Sequence, residues 1–324
     1  VSFVNLEHPF DFSCRNRYNG LTKPMGKGRW AVDRIIFHCD LNCFYASAEL
    51  LDHPELRHLP VAVCGDPESR HGIILAKNEK AKAFGVQTAE TIWQAKRKCP
   101  DLRLVAPHRS EYVKFSRKCN ELYLQYTDLV DPFGIDESFL DVTGSMHLFG
   151  SGEHIADELR RRMREEVGLT ISVGVSFNRA FAKLGSDYKK PDGTTVFSRE
   201  NFKQRVWTLP ANTLLYVGKR ASDRLNRLGV RTIGELAACD PAFIHSILGK
   251  NGDLLLCYAR GEDDEPVRSF YAEREVKSVG NSMTFAHNLL GADECRMGIT
   301  ALCDNVGRRL RKRGMVFQNV QLGI

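Results

Sequence analysis

The stretch Ile35-Ile36-Phe37-His38-Cys39-Asp40 constrains this chain more than any other. It is apolar and largely β-branched or aromatic until it ends on an acid. That pattern predicts a strand with a carboxylate at its end. Helical sequence follows from Phe44 to Leu51 and stops before Pro54. Val61–Cys64 and Ile73–Ala76 predict two further strands, and Glu79–Phe84 and Ile92–Cys99 two helices ended by Gly85 and Pro100. Tyr112, Phe115, Cys119, Leu122 and Tyr126 recur at helical spacing. Val130–Phe133 and Phe139–Val142 then flank a turn at Gly134 to Glu137, which reads as a hairpin. Ile155, Leu159, Met163 and Val167 form an i, i+4 stripe closed by Gly168 at a C-cap position, and Ile171–Phe177 is the strand after it. This order suits an α+β sheet with helices packed on one face.

From Phe202 the character changes to short helices with glycine turns. Glu262 to Glu265, with Pro266, reads as the exit to a linker, and a last α/β segment begins near Lys277. Its end, Val316 to Ile324, alternates like a strand. A chain of 324 residues is too long for one compact core, so two to four domains are expected. Both ends look cut: the first residue is Val, and the last follows directly on the alternation. Residues 1–33 lack apolar periodicity and hold Pro9, Gly20, Pro24, Gly26 and Gly28, which predicts a poorly ordered extension.

Net charge is +6, and its distribution says more than its size. Residues 277–324 carry Lys277, Arg296, Arg308, Arg309, Arg311, Lys312 and Arg313 against only Asp293, Glu294 and Asp304, a basic tail suited to nucleic acid. The ten cysteines include no CxxC pair and read as small apolar residues in a reducing compartment. No apolar run is long enough to span a bilayer and no signal peptide is evident, so no membrane association and a cytoplasmic location are expected.

Asp40 ends the first strand, and Asp136-Glu137 sits in a hairpin turn about a hundred residues later. Adjacent acids in a tight turn aim in different directions, so both can reach cations lying over a sheet. Nucleotidyl transfer with two divalent cations, roughly 3.5–4 Å apart, calls for several carboxylate oxygens converging on one point.

The segment His38-Cys39-Asp40-Leu41-Asn42-Cys43-Phe44-Tyr45-Ala46-Ser47-Ala48-Glu49 resembles the opening motif of Y-family, translesion DNA polymerases. Gly134-Ile135-Asp136-Glu137-Ser138-Phe139-Leu140-Asp141 resembles their second metal motif. The likeness runs on through Val173–Asn178, Phe181-Ala182-Lys183-Leu184 and Asp187 to Lys190-Pro191-Asp192-Gly193, covering about residue 34 to 324, and is greatest to the bacterial DNA polymerase IV group.

The resemblance implies a right-hand polymerase. Its palm would be residues 34–41 and 108–197, its small fingers 42–107 and its helix-hairpin-helix thumb 198–266, followed by a linker, 267–276, and a partial α/β little finger, 277–324. It further implies two Mg²⁺ ions on Asp40, Asp136, Glu137 and the Leu41 carbonyl, with Asp136 and Glu137 catalytic. Tyr45 matches the aromatic that excludes a ribose 2′-hydroxyl. Lys190 would contact the β/γ-phosphates, and Lys82 stands where many members carry an arginine facing the triphosphate; a lysine supplies charge without a planar fork.

Gly218, Lys219 and Arg220 lie in a helix-hairpin-helix sequence, 214–230, in which Gly218 is expected to permit a tight turn facing a phosphate. Arg308, Arg309, Arg311 and Lys312 fall in the little finger's first helix and would track template backbone. The implied activity is low-fidelity, template-directed DNA synthesis from dNTPs on primer–template DNA by a monomer. A sliding clamp is a further candidate partner through a C-terminal segment, and Gln318–Ile324 reads as a strand rather than such a peptide. A polymerase V-type catalytic subunit, a silent DNA-binding remnant and a nucleotidyl cyclase stay open as alternatives.

Overall fold

The computed structural model describes residues 33–66, 72–285 and 287–323; the expected disorder of residues 1–33 lies, but for Asp33, outside them. The chain opens with β1 (Ile36–Leu41), every residue of which is buried. After Cys43, which holds a left-handed φ of 49°, α1 (Phe44–Asp52) begins. β2 (Val61–Cys64), β3 (Ile74–Lys77), α2 (Glu79–Ala83), α3 (Ile92–Lys98) and β4 (Arg103–Val105) follow. Asn78 caps α2 by accepting from the Ala81 N–H, and Thr91 and Gln94 make a capping box on α3. These strands form a separate small sheet, order β3-β2-β4, over its own core of Ala62, Cys64, Ile74, Ala81, Ala95 and Leu102.

The chain then returns through α4 (Arg109–Tyr123), β5 (Val130–Pro132), β6 (Glu137–Asp141), α5 (Met146–Phe149) and α6 (Gly152–Arg162). A single π-helical turn, Met163–Val167, continues α6 to Gly168, whose φ of 80° is the predicted left-handed cap. β7 (Ile171–Ser176), α7 (Arg179–Tyr188) and β8 (Thr194–Phe197) complete a five-stranded sheet of order β5-β6-β1-β7-β8.

β1 is antiparallel to both neighbours, so its side chains alternate between two faces. Phe37, Cys39 and Leu41 join Tyr112, Leu122, Ile155, Leu159 and Met163 in the main core. Ile36, His38 and Asp40 take the other face, where Ile36 packs with Phe139 and Ala182.

Helices were expected on one face of this sheet; they cover both. α4 and α6 lie on one side and α7 on the other, against β1 and β7. Two glycines permit this. A Cβ on Gly174 would stand 1.9 Å from the Ala182 carbonyl oxygen, and one on Gly185 2.9 Å from the Gly174 Cα. The helix therefore rests backbone to backbone on the strand. β4 and β8 had no sequence signal of their own: β4 is Arg103-Leu104-Val105 and β8 opens on Thr194-Thr195, so neither shows the short apolar run that marks β2 and β3.

The second large core joins Phe177, Phe181 and Phe197 to the helical region built from α8 (Phe202–Arg205), α9 (Lys219–Arg227), α10 (Ile233–Ala238), α11 (Pro241–Leu248) and α12 (Lys250–Arg260). The acidic stretch that reads as an exit to a linker is a packed strap. Asp263 accepts from the Arg179 and Ala180 N–H groups at 3.1 and 3.2 Å, capping α7 from a distance in sequence. Arg179 and Arg274 share Asp131 on β5, each at 2.8 Å, and Val267 is buried.

The last helix, α13 (Gly291–Lys312), carries the arginine run as predicted. Val316 to Gly323 is no strand. Val316 is 90% exposed and Val320 76%, so the alternation has neither a pairing strand nor an apolar cover among the described residues. No helix among those residues is long and apolar enough to cross a membrane.

Gly174→Ala should cost about 3 kcal/mol or more in denaturant unfolding, because a backbone contact has no side chain that can give way. A loss below about 1 kcal/mol would show that α7 is not pressed onto the strand as described.

Candidate active site

The β1–β6 register sets Asp40 opposite Glu137. Opposed residues of an antiparallel pair share a face, so both carboxylates project on the side that α7 covers. Asp136 lies in the preceding turn, and its carbonyl accepts from the Leu41 N–H at 3.0 Å, which ties the turn to the end of β1. The three predicted acids and Leu41 therefore meet at one corner of the sheet.

Two ammonium groups enter that corner. Lys183, from α7, lies 2.8 Å from Glu137 and 3.3 Å from Asp40, with Asp187 one turn on at 3.5 Å. Lys190 lies 2.9 Å from Asp40 and 2.7 Å from Asp187. Of the two lysines, only Lys190 is marked as a site residue by the sequence. Lys183 and Asp187 were legible only as parts of a matching segment, and their i, i+4 spacing on α7 was the signal available.

Behind Glu137 sits His38, fully buried, its Nδ1 2.8 Å from Ser186 Oγ and its Nε2 3.5 Å from Glu137. Burial pushes His38 down to about 4, so near neutral pH the ring is uncharged and this approach is not an ion pair.

The electrostatics show an excess of negative charge. Burial, then repulsion from Glu137 and Asp40, raises the Asp136 carboxyl to about 7. Asp40 is also raised by burial, with the two lysines acting against it. Burial acts the same way on Glu137, but the Lys183 ammonium 2.8 Å away opposes it and favours the ionised carboxylate. Among the described residues no three His, Cys, Asp or Glu side chains already form a metal cage. The donors are hard oxygens, and mutual repulsion keeps one carboxyl from ionising freely. Both properties suit a hard divalent cation.

Tyr45, the second residue of α1 and half-buried, stacks on Tyr112 with ring centroids 4.1 Å apart and planes at 10°. The Asp136 carboxylate contributes to a raised Tyr45 hydroxyl, after burial. The ring thus flanks the acidic corner. Lys82 is not brought into it: it is exposed and pairs with Glu79 at 3.5 Å, and Glu79 accepts from the Cys43 thiol at 3.2 Å.

In the helical region the turn before α9 takes its left-handed conformation at Tyr216, φ 68°, and not at Gly218. Gly218 is an extended N-cap with no side-chain cap, and a Cβ there would meet nothing within 4 Å. Lys219 and Arg220 begin α9, both exposed. On α13, Arg308, Arg311 and Lys312 are exposed, while Arg309 donates to the Gly280 carbonyl at 2.7 Å.

A mixed sheet that gathers three acids at one corner beneath a helix-borne lysine, with a second lysine on an adjoining turn, defines a palm-type nucleotidyltransferase. Residues 39–187 match the model of the impB/mucB/samB family and residues 276–324 that of its C-terminal domain. The chain is 50% identical over 293 residues to a DNA polymerase IV of Acetivibrio thermocellus, covering 90% of this chain and 73% of the relative. A Y-family DNA polymerase chimera shares the fold with a TM-score of 0.77 over 85% of this chain and 80% of its own, at 24% identity. A Dbh DNA polymerase in an insertion ternary complex is 27% identical with a TM-score of 0.67, covering 72% of this chain and 69% of its own. The chain belongs to this family: it is a Y-family DNA polymerase, most like DNA polymerase IV, and a metal-dependent nucleotidyltransferase.

Lys183→Met should lower unfolding free energy by about 1–3 kcal/mol near neutral pH, because it strips a partly buried cation from Glu137, Asp40 and Asp187 while Lys190 remains. An unchanged urea midpoint would mean that Lys183 does not neutralise this cluster.

Proposed function

We propose that Asp40, Asp136 and Glu137, with the Leu41 carbonyl, hold two Mg²⁺ ions and that this corner joins a dNTP to a primer 3′-hydroxyl on template DNA. The observation that carries the reading is that Asp40 and Glu137 face α7 with Asp136 in the adjoining turn, at a charge that the two lysines do not balance. Divalent cations held by these residues would supply Lewis-acid chemistry, a lowered hydroxyl pKa and a stabilised pyrophosphate leaving group.

The chain's own groups do the rest. Lys190 exchanges its contacts with Asp40 and Asp187 for the β/γ-phosphates of the incoming nucleotide. Tyr45, held flat against Tyr112, stands under the sugar and collides with a ribose 2′-hydroxyl. Lys82, freed from Glu79, adds charge from the fingers side. Gly218 leaves room for a phosphate at the α9 N–H groups, with Lys219 and Arg220 beside it. Arg308, Arg311 and Lys312 track the template backbone, and Arg309 holds α13 to residue 280. Small fingers and thumb, as the family resemblance implies, would leave the nascent pair loosely enclosed, which suits synthesis over damaged template.

Asp136→Ala and Glu137→Ala should each abolish extension of a labelled primer with Mg²⁺ in folded protein; near-normal turnover in either would remove that residue from the site. Tyr45→Ala should raise ribonucleotide incorporation relative to dNTP incorporation at least about tenfold, since one steric clash is worth more than about 1.4 kcal/mol. An unchanged ratio would place the sugar check elsewhere. Replacing Lys219 and Arg220 together by Ala should flatten the slope of log K against log salt for duplex by about 1.8, since each phosphate left without its cation takes away about 0.9. A slope that does not move would leave the α9 turn without a DNA role.

A further inference from the structure

The turn that carries Lys190 is held far more tightly than a surface turn requires. Asp192 sits in it at a left-handed φ of 52°. Each of its polar groups is taken by a residue distant in sequence. Its N–H donates to Asn42 Oδ1 at 2.8 Å. Its Oδ1 accepts from Arg160 Nε at 3.1 Å and its Oδ2 from Arg164 Nη1 at 2.5 Å, while its carbonyl accepts from Arg160 Nη2.

Arg160 is only 19% exposed at its side chain. It and Arg164 lie four residues apart on α6 and its π-helical continuation, where like charges repel unless an acid stands between them. Asn42 is buried, gives its amide to Ser172 Oγ at 2.9 Å and its backbone N–H to the Thr170 carbonyl. It also directly follows Leu41. A Cβ on Gly193 would come within 2.2 Å of the Lys189 carbonyl oxygen, so the turn has one compact form.

The geometry points to a positioning role: Arg160, Arg164 and Asn42 clamp Asp192 so that Lys190 meets the β/γ-phosphates of the incoming dNTP at a fixed place relative to the end of β1. This rests on reading Lys190 as the triphosphate contact. The clamp touches no substrate. It acts on dNTP affinity through Lys190 alone, and Asn42 ties the turn to the corner where the acids converge.

The test is a double-mutant cycle on the whole chain, with dNTP KM and kcat measured by primer extension, and DNA affinity and unfolding midpoint measured alongside. Arg164→Ala should raise KM about threefold and Arg160→Ala about tenfold, kcat changing less than about twofold. Arg160→Lys, which keeps charge but not the fork, should fall between wild type and Arg160→Ala and guards against loss of the fold. In a Lys190→Ala background, Arg160→Ala should add no further rise in KM, with duplex affinity unchanged throughout. Additive effects, or a fall in kcat at constant KM, would overturn the clamp while leaving Lys190 in place. If Lys190→Ala itself leaves KM unchanged, the triphosphate reading fails, and the clamp with it.

Discussion

The contact between α7 and the sheet, made through Gly174 and Gly185, is the constraint on which the site depends. Without it a helix would stand further off the strands, at the usual side-chain packing distance, and Lys183 and Ser186 could not reach Glu137 and His38. The same seating makes α7 a junction. Its first turn is capped by Asp263 from the strap, and Phe181 joins the core shared with the helical region. Arg179 at its start bonds Asp131 on the strand paired with the one that carries Glu137. The position of Lys183 beside the acids is thus set by three parts of the chain at once.

Charge is the second constraint. Three acids and two lysines share a partly buried corner, and the acids are not satisfied: burial and mutual repulsion keep Asp136 easily protonated even with both ammonium groups present. A corner of this kind attracts cations. Lys190 forms its ion pairs from a loop and not a helix, so it can leave for a phosphate while the Asp192 clamp keeps the turn itself in place. Lys183 is confined by α7 and stays.

Much of this was legible in the sequence, for reasons that differ by residue. β1, the β5–β6 hairpin and the Gly168 cap followed from local pattern, since their signals lie within a few residues. Asp40, Asp136, Glu137 and Lys190 followed from resemblance to a family; spacing alone could not have joined a strand end to a turn about a hundred residues away. The second helical face was not legible, because a glycine pair that permits backbone contact looks like any other two glycines. The arginine clamp was hidden for a similar reason: nothing local in the sequence joins Arg160 and Arg164 to Asp192, which the fold sets between them. The turn before α9 shows the limit from the other side. Gly218 was expected to permit the tight turn, and the left-handed residue is instead Tyr216, its ring 6.2 Å from Tyr258. Tertiary context outweighed the local preference.

The central claim is that Asp40, Asp136 and Glu137 hold metal when substrate binds, Asp40 giving up Lys190 while Lys183 stays. A crystal structure with primer–template, a non-reactive dNTP analogue and Mn²⁺ tests it most directly, through anomalous scattering. The account predicts Mn²⁺ among these three carboxylates and the Leu41 carbonyl, Lys190 moved from Asp40 onto the β/γ-phosphates, and Asp192 still held by Arg160. Mn²⁺ bound away from the three acids, or Lys190 still paired with Asp40 beside a bound triphosphate, would contradict it.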